Sequence, residues 1–193
     1  MFYLSTGVML GSSTGNKSVI RCGSKVAELA GKIRQMWLKG RLGIAECDTE
    51  DEGLLKELYE KGLVVVSEEN DYDSKYNMFY RCIVSSAKSS LKVGLTEEER
   101  TVYQWLRFSP FLLDIADVLS LYERGLKVEG KYIGKYNAQA LVKLILEPHG
   151  NHKDQRFLDR MFYSQKRDEL VDIYLSLLSN GRLILLGRKD NYG

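Results

Sequence analysis

The sequence predicts an α+β fold, mainly helical, that opens on a β-hairpin and uses one helix–glycine–strand ending twice. Three observations carry this. Two short β-favouring runs flank a Gly/Ser/Thr/Asn cluster near the N-terminus. Apolar residues recur at helical spacing in several later segments. Finally, Leu58-Tyr59-Glu60-Lys61-Gly62-Leu63-Val64 is echoed by Leu178-Ser179-Asn180-Gly181-Arg182-Leu183-Ile184. In both, a helix runs into glycine and then an apolar strand.

The elements follow in order. Residues 2–10 are apolar or β-favouring and end in the cluster Gly11 to Asn16; Ser18 to Cys22 reads as the return strand. Ser24 is a candidate N-cap for a helix marked by Val26, Leu29, Ala30, Ile33, Met36 and Trp37, which runs to Lys39 and stops at Gly40. Leu54, Leu55, Leu58 and Tyr59 mark a second helix with Gly62 as its stop signal, and Leu63 to Val66 reads as a buried strand. Residues 67–76 are polar and turn-forming, a candidate boundary, and Asn77 to Ser85 gives another β-like run. The second half starts on a capping box, Thr96-Glu97-Glu98-Glu99, whose helix carries Val102, Trp105 and Leu106. Leu112 to Tyr122 marks the next helix, Ala138 to Leu146 another stopped by Pro148, and Leu170 to Leu178 the last. Ser179-Asn180-Gly181 then turns into a strand over Arg182 to Leu186.

Composition narrows the function classes. With 193 residues and 44% hydrophobic content, the chain can bury a real core in one domain or two small ones. Lys+Arg number 28 and Asp+Glu 26, so the net charge of +2 does not suggest a dedicated nucleic-acid binder. Cys22, Cys47 and Cys82 are odd in number and show no C-x-x-C pairing, which fits reduced thiols in a cytoplasmic protein. The N-terminus lacks a basic region followed by a long apolar stretch, so neither a signal peptide nor a membrane span is expected.

Several motifs resolve into plain readings. Gly11-Ser12-Ser13-Thr14-Gly15-Asn16-Lys17-Ser18 comes close to a phosphate-binding loop. Its second glycine arrives one position early, and strand rather than helix follows, so a hairpin turn is expected. His149 and His152 lie three apart without further ligands nearby, too few for zinc; a solvated loop is expected, with no metal and no cofactor. Lys153 to Arg167 is basic with interleaved aromatics, the one stretch suited to nucleic acid, though Asp154, Asp159 and Asp168 dilute it. Nothing forms a catalytic constellation, so the chain is not expected to be an enzyme. The 12 tyrosines suit a protein or peptide contact surface wherever they are exposed.

The segment Glu46 to Val66 looks like the last helix and strand of a winged-helix unit, and the repeated ending makes tandem winged-helix-like units, over 1–70 and 77–193, the expected organisation. A DNA-reading helix places Arg or Lys near phosphates. This one starts with Glu46, Asp48, Glu50, Asp51 and Glu52, which a phosphate backbone would repel. The hairpin Ser5 to Leu10 with Ser18 to Arg21, then Val26 to Leu38, and the ending Leu54 to Val64 together resemble the precursor-peptide recognition element. This is the small winged-helix module of ribosomal-peptide modification, similar to the chaperone of pyrroloquinoline-quinone biosynthesis. The resemblance covers about residues 2–68, and the hairpin precedes the helices as that family requires.

That resemblance implies that a leader peptide adds as a strand to the hairpin edge, at Val19, Ile20 and Arg21. Its apolar side chains would lie in a groove formed by Leu55, Leu58 and Tyr59. The chain would then be a non-enzymatic scaffold presenting a precursor peptide to a separate modifying enzyme, as in thiazole- or thiopeptide-making pathways, with the second half docking that enzyme and a homodimer possible. The acidic helix start predicts a ligand with basic or neutral flanks. The competing expectation is a DNA-binding regulator, which would have to use Lys153, Arg156, Arg160, Lys166 and Arg167 on phosphates.

Overall fold

The first β-favouring run is two strands rather than one. A computed structural model describes residues 1–13, 16–87, 94–132, 137–146 and 165–191. In it β1 (Phe2–Ser5) and β2 (Val8–Ser13) part at Thr6-Gly7 and join different sheets. Strand β2 pairs antiparallel with β3 (Lys17–Cys22), with Val8 opposite Arg21 and Ser13 opposite Lys17; Thr14 and Gly15 of the expected turn lie outside the described residues. Strand β4 (Lys25–Ala30) completes this sheet in the order β2-β3-β4.

Strand β4 replaces the first half of the helix expected over residues 24–39, and only Gly31–Lys39 forms helix α1. Val26, Leu29 and Ala30 fit helical spacing, but pairing with β3 decides otherwise. Leu29 sits opposite Ser18 and is buried, while Val26 is 61% exposed, as no member of a core-facing helical stripe would be. A cross-strand ion pair, Lys17 to Glu28 at 2.6 Å, adds to the ladder. Ser24 is therefore no cap; the N-cap position of α1 is Ala30, without a side-chain bond.

The second sheet is ordered β5-β1-β6, with β5 (Ala45–Glu46) and β6 (Val64–Ser67) flanking β1 antiparallel. Between them run a 3-10 turn, Thr49–Asp51, and helix α2 (Glu52–Glu60). Trp37 of α1 is fully buried and donates from Nε1 to the Thr6 carbonyl oxygen at 2.9 Å. The Tyr3 hydroxyl donates to the Met36 carbonyl oxygen at 3.0 Å, so α1 is tied to the turn after β1 and to β1 itself.

Residues 72–80 form helix α3 (Tyr72–Tyr80), where the sequence suggested a polar boundary and then a strand; only Cys82–Ser86, β7, is extended. Asp71 starts α3 by accepting from the Ser74 backbone N–H at 2.7 Å. Its β-favouring residues Tyr76 and Phe79 are held helical by what they pack on: Phe79 meets the Tyr174 ring edge-on at 5.2 Å. Such burial outweighs a propensity worth a few tenths of a kcal/mol per residue, about the scale of the measured rankings.

Helix α4 (Glu97–Phe108) carries the predicted capping box, with Thr96 and Glu99 bonded reciprocally. Helix α5 (Ile115–Glu123) starts on a second box, Asp114 with Asp117, so Leu112 and Leu113 precede it rather than begin it. Helices α6 (Ala138–Leu146) and α7 (Gln165–Ser179) follow, and β8 (Leu183–Arg188) pairs antiparallel with β7. Pro148 lies outside the described residues. The repeated ending is real at atomic detail. Gly62 N–H bonds the Tyr59 carbonyl and Leu63 N–H that of Leu58; Gly181 and Arg182 repeat the pattern on Leu178 and Leu177. Both are Schellman caps, with φ of 72° at Gly62 and 64° at Gly181, a left-handed conformation that glycine adopts without strain.

Two clusters of buried side chains result. One gathers Tyr3, Ile20, Leu29, Trp37, Leu55, Leu58 and Val64. The other gathers α3, α4, α5 and α7 around Tyr174, and it takes in Leu4 and Val65 from the first half. No helix among the described residues is long and apolar enough to cross a membrane. The protein is thus a mixed α+β chain with small antiparallel sheets.

Candidate peptide groove

Helix α2 buries one face and leaves the other open. Leu55 and Leu58 point into the first core at 2% and 0% exposure. Glu52, Lys56 and Tyr59 recur at the i, i+4, i+7 spacing that puts them on one outer face. Beside that face lies a cavity of about 420 Å³, lined by Met1, Glu52, Gly53, Leu55, Lys56, Tyr59 and Val66. Its walls are mostly apolar. Gly53 leaves the first turn of α2 without a side chain, and a Cβ placed there meets nothing within 4 Å.

Tyr59 also lines a second cavity of about 270 Å³, with Val65, Tyr80, Arg81, Arg188, Lys189 and Asp190. The two cavities share Tyr59 as a lining residue, and each takes in one residue of β6, Val66 in the first and Val65 in the second. The second end is aromatic and basic. The Arg188 guanidinium lies 4.3 Å from the centre of the Tyr59 ring and donates to the Tyr59 carbonyl oxygen at 3.2 Å. Lys189 sits 3.9 Å over the Tyr80 ring. Arg188 is bidentate to Asp190; the hydrogen-bonded carboxylate pushes the guanidinium further up, and Arg188 in turn holds Asp190 below the usual carboxylate range. Lys189 pairs with Asp114 at 3.1 Å. Arg81 differs. It donates from Nε to the Asn77 carbonyl oxygen at 3.3 Å and from Nη2 to that of Val66, but pairs with no carboxylate among the described residues.

The sequence-predicted residues divide accordingly. Leu55 and Tyr59 line the groove, whereas Leu58 is turned fully into the core. Val19, Ile20 and Arg21 do not form an edge. Their strand, β3, is the middle one, bonded to β2 on one side and β4 on the other, and Ile20 is buried. The hairpin edge shifted because a third strand, read from sequence as helix, adds to it. Strand β4 now has the outer position, with no further strand beside it among the described residues. The acidic start of α2 is partly neutralised, since Lys32 of α1 pairs with Asp51 at 2.5 Å.

Of the residues proposed for phosphate contact, Lys153, Arg156 and Arg160 lie outside the described residues, as do His149 and His152. Lys166 pairs with Glu169 at 2.7 Å, and Arg167 is buried, bonded to Asp73 and Asp168. Arg167 thus ties α7 to α3, and Lys166 pairs within α7. Sequence reasoning missed Arg81, Arg188, Lys189 and Tyr80; they are far apart in the chain and meet only because β8 returns beside β7. Among the described residues no group of three His, Cys, Asp or Glu could hold a metal ion, and the three cysteines are buried free thiols. Burial pushes Cys82 up to about 12, which suppresses the reactive thiolate.

Comparison with family models, with curated proteins and with solved structures finds no match.

Proposed function

We propose that the chain is a non-enzymatic peptide-binding scaffold, built on two winged-helix-like units, that presents a ribosomal precursor peptide to a separate modifying enzyme. The observation that supports this most is the groove along α2. It is apolar, open at the surface, and carries two of the three residues that the sequence suggested for side-chain recognition. The unpaired side of β4 offers main-chain donors and acceptors for strand addition, one strand beyond the position first expected. Of the Schellman endings at Gly62, Gly125 and Gly181, the first and last lead into a strand of an antiparallel pair, which supports the reading of two related units.

The test is a titration of the full chain with fluorescently labelled precursor peptides encoded beside its gene. Binding in the micromolar range is expected, and its absence at ~100 μM, weak by any standard, would remove the proposal. Gly53→Trp supplies the structural control. It fills open space on a helix, so folding is retained while binding is lost.

A further inference from the structure

The second end of the groove has a charge that the first lacks. Three cations, Arg81, Arg188 and Lys189, line it against one carboxylate, Asp190, and two tyrosine rings. Arg188 is spent on Asp190 and on the Tyr59 carbonyl oxygen, and Lys189 on Asp114. Arg81 is bonded to two neutral carbonyl oxygens. These take Nε and one N–H of Nη2, and an arginine has five donors in all. Arg81 thus forms no ion pair among the described residues and acts on Asp190 only through space, so three cations face two carboxylates, Asp190 and Asp114, at the wall of a cavity large enough for a carboxylate-bearing side chain.

From this we infer that the groove selects peptides with an acidic residue: an apolar side chain lies between Met1, Tyr59 and Val66, and an Asp or Glu carboxylate meets Arg81 in the second cavity that Tyr59 borders. The inference rests on the peptide-binding reading and adds the ligand's charge and direction. It differs from the preference for basic flanks that the acidic start of α2 suggested; there Asp51 is paired with Lys32, while Glu52 borders the first cavity and not the second.

A nucleic-acid phosphate is the poorer match. One guanidinium without an ion pair among the described residues falls short of the several phosphate contacts that give a duplex its affinity. One carboxylate, held by a forked donor between aromatic rings, needs no more than this.

An array of synthetic octapeptides tests it. Each carries one Leu and, at every other position in turn, either Glu or Gln in an Ala/Ser background, and is probed with the full chain. One Leu–Glu spacing should bind about tenfold more tightly than its Gln counterpart, the scale of a charge-assisted bond at a half-open site. Arg81→Gln should abolish that preference, Arg81→Lys should keep part of it, and 0.5 M salt should reduce it. If Arg81→Gln fails to fold by circular dichroism, the Glu-to-Gln ratio of the parent and the Arg81→Lys response still decide. Binding without any Glu preference overturns the inference and leaves the scaffold reading intact. No binding to any peptide, with Leu or with Glu, overturns both, and tighter, salt-sensitive binding to a random DNA duplex than to every peptide replaces both with a phosphate site.

Discussion

Helices α2 and α7 end in the same way and serve opposite ends. Each runs into a glycine with positive φ, closes with the same pair of backbone bonds, and hands over to a strand. Yet α7 buries seven side chains, among them Leu170, Tyr174 and Leu177, under α3, α4 and α5, while α2 buries only Leu55 and Leu58. The shared ending is a local solution to stopping a helix, and it says nothing about what covers the helix afterwards. Coverage is what separates a core element from a surface that can receive a ligand.

The comparison is broken most severely by cutting into α7. Leu177→Ala should cost roughly 2–5 kcal/mol, the range for truncating a fully buried leucine, because Leu177 has no exposed surface. Urea denaturation measures it. A loss below 1 kcal/mol would mean that α7 is not the central element described.

The two endings themselves should respond alike. Gly62→Ala and Gly181→Ala each force a Cβ into the left-handed region, at about 1–2 kcal/mol. Thermal unfolding of both variants checks this, and a much larger loss at one site would show that the shared cap is not the governing term there.

Smaller effects sharpen the contrast at the helix starts. Thr96→Ala removes the capping box of α4 and should lower stability by about 1 kcal/mol. Gly53→Ala, in the first turn of α2 with open space for its Cβ, should instead raise it by up to about 0.5 kcal/mol, since glycine loses more backbone freedom on folding. Helix α2 is thus expected to be below its own stability optimum at the place where the groove needs room.

The smallest effect concerns pH. Burial, and then the neighbouring Asp114, raise the Asp117 carboxyl above its ordinary value. A raised carboxyl favours the folded state when protonated. That contribution is fully present below the unfolded value and is lost as pH rises through the folded one. Asp117→Asn keeps the oxygen that accepts from Asp114 N–H and removes the titration. The variant should match the parent in mild acid and gain on it towards neutral pH, as denaturation at pH 4 and pH 7 would show.

Features set by short-range chemistry were legible in the chain. The Thr96-x-x-Glu99 box, the stops at Gly62 and Gly181, the antiparallel pairing of β2 with β3 and the apolar stripe of α4 each depend on residues close to one another in the chain. Where long-range packing competes with local preference, the chain alone misleads. Val26 to Ala30 carries a helical spacing, and only the backbone of β3, with its unpaired donors and acceptors, makes it a strand. Met78 to Tyr80 carries strand-forming residues, and only Tyr174 and its neighbours make them a helix.

The groove divides along the same line. Sequence by itself determined that α2 is amphipathic, that it ends at Gly62, and that Leu55 and Tyr59 are candidates to meet a ligand. Tertiary structure alone decided that Leu58 faces inward, that β3 is covered on both sides, and that Arg81, Arg188 and Lys189 converge beyond Tyr59. The reason is physical. A cap or a stripe is fixed by bonds between near neighbours, whereas a charge cluster drawn from positions 81 and 188 exists only after β7 and β8 have paired, and no local pattern records that pairing.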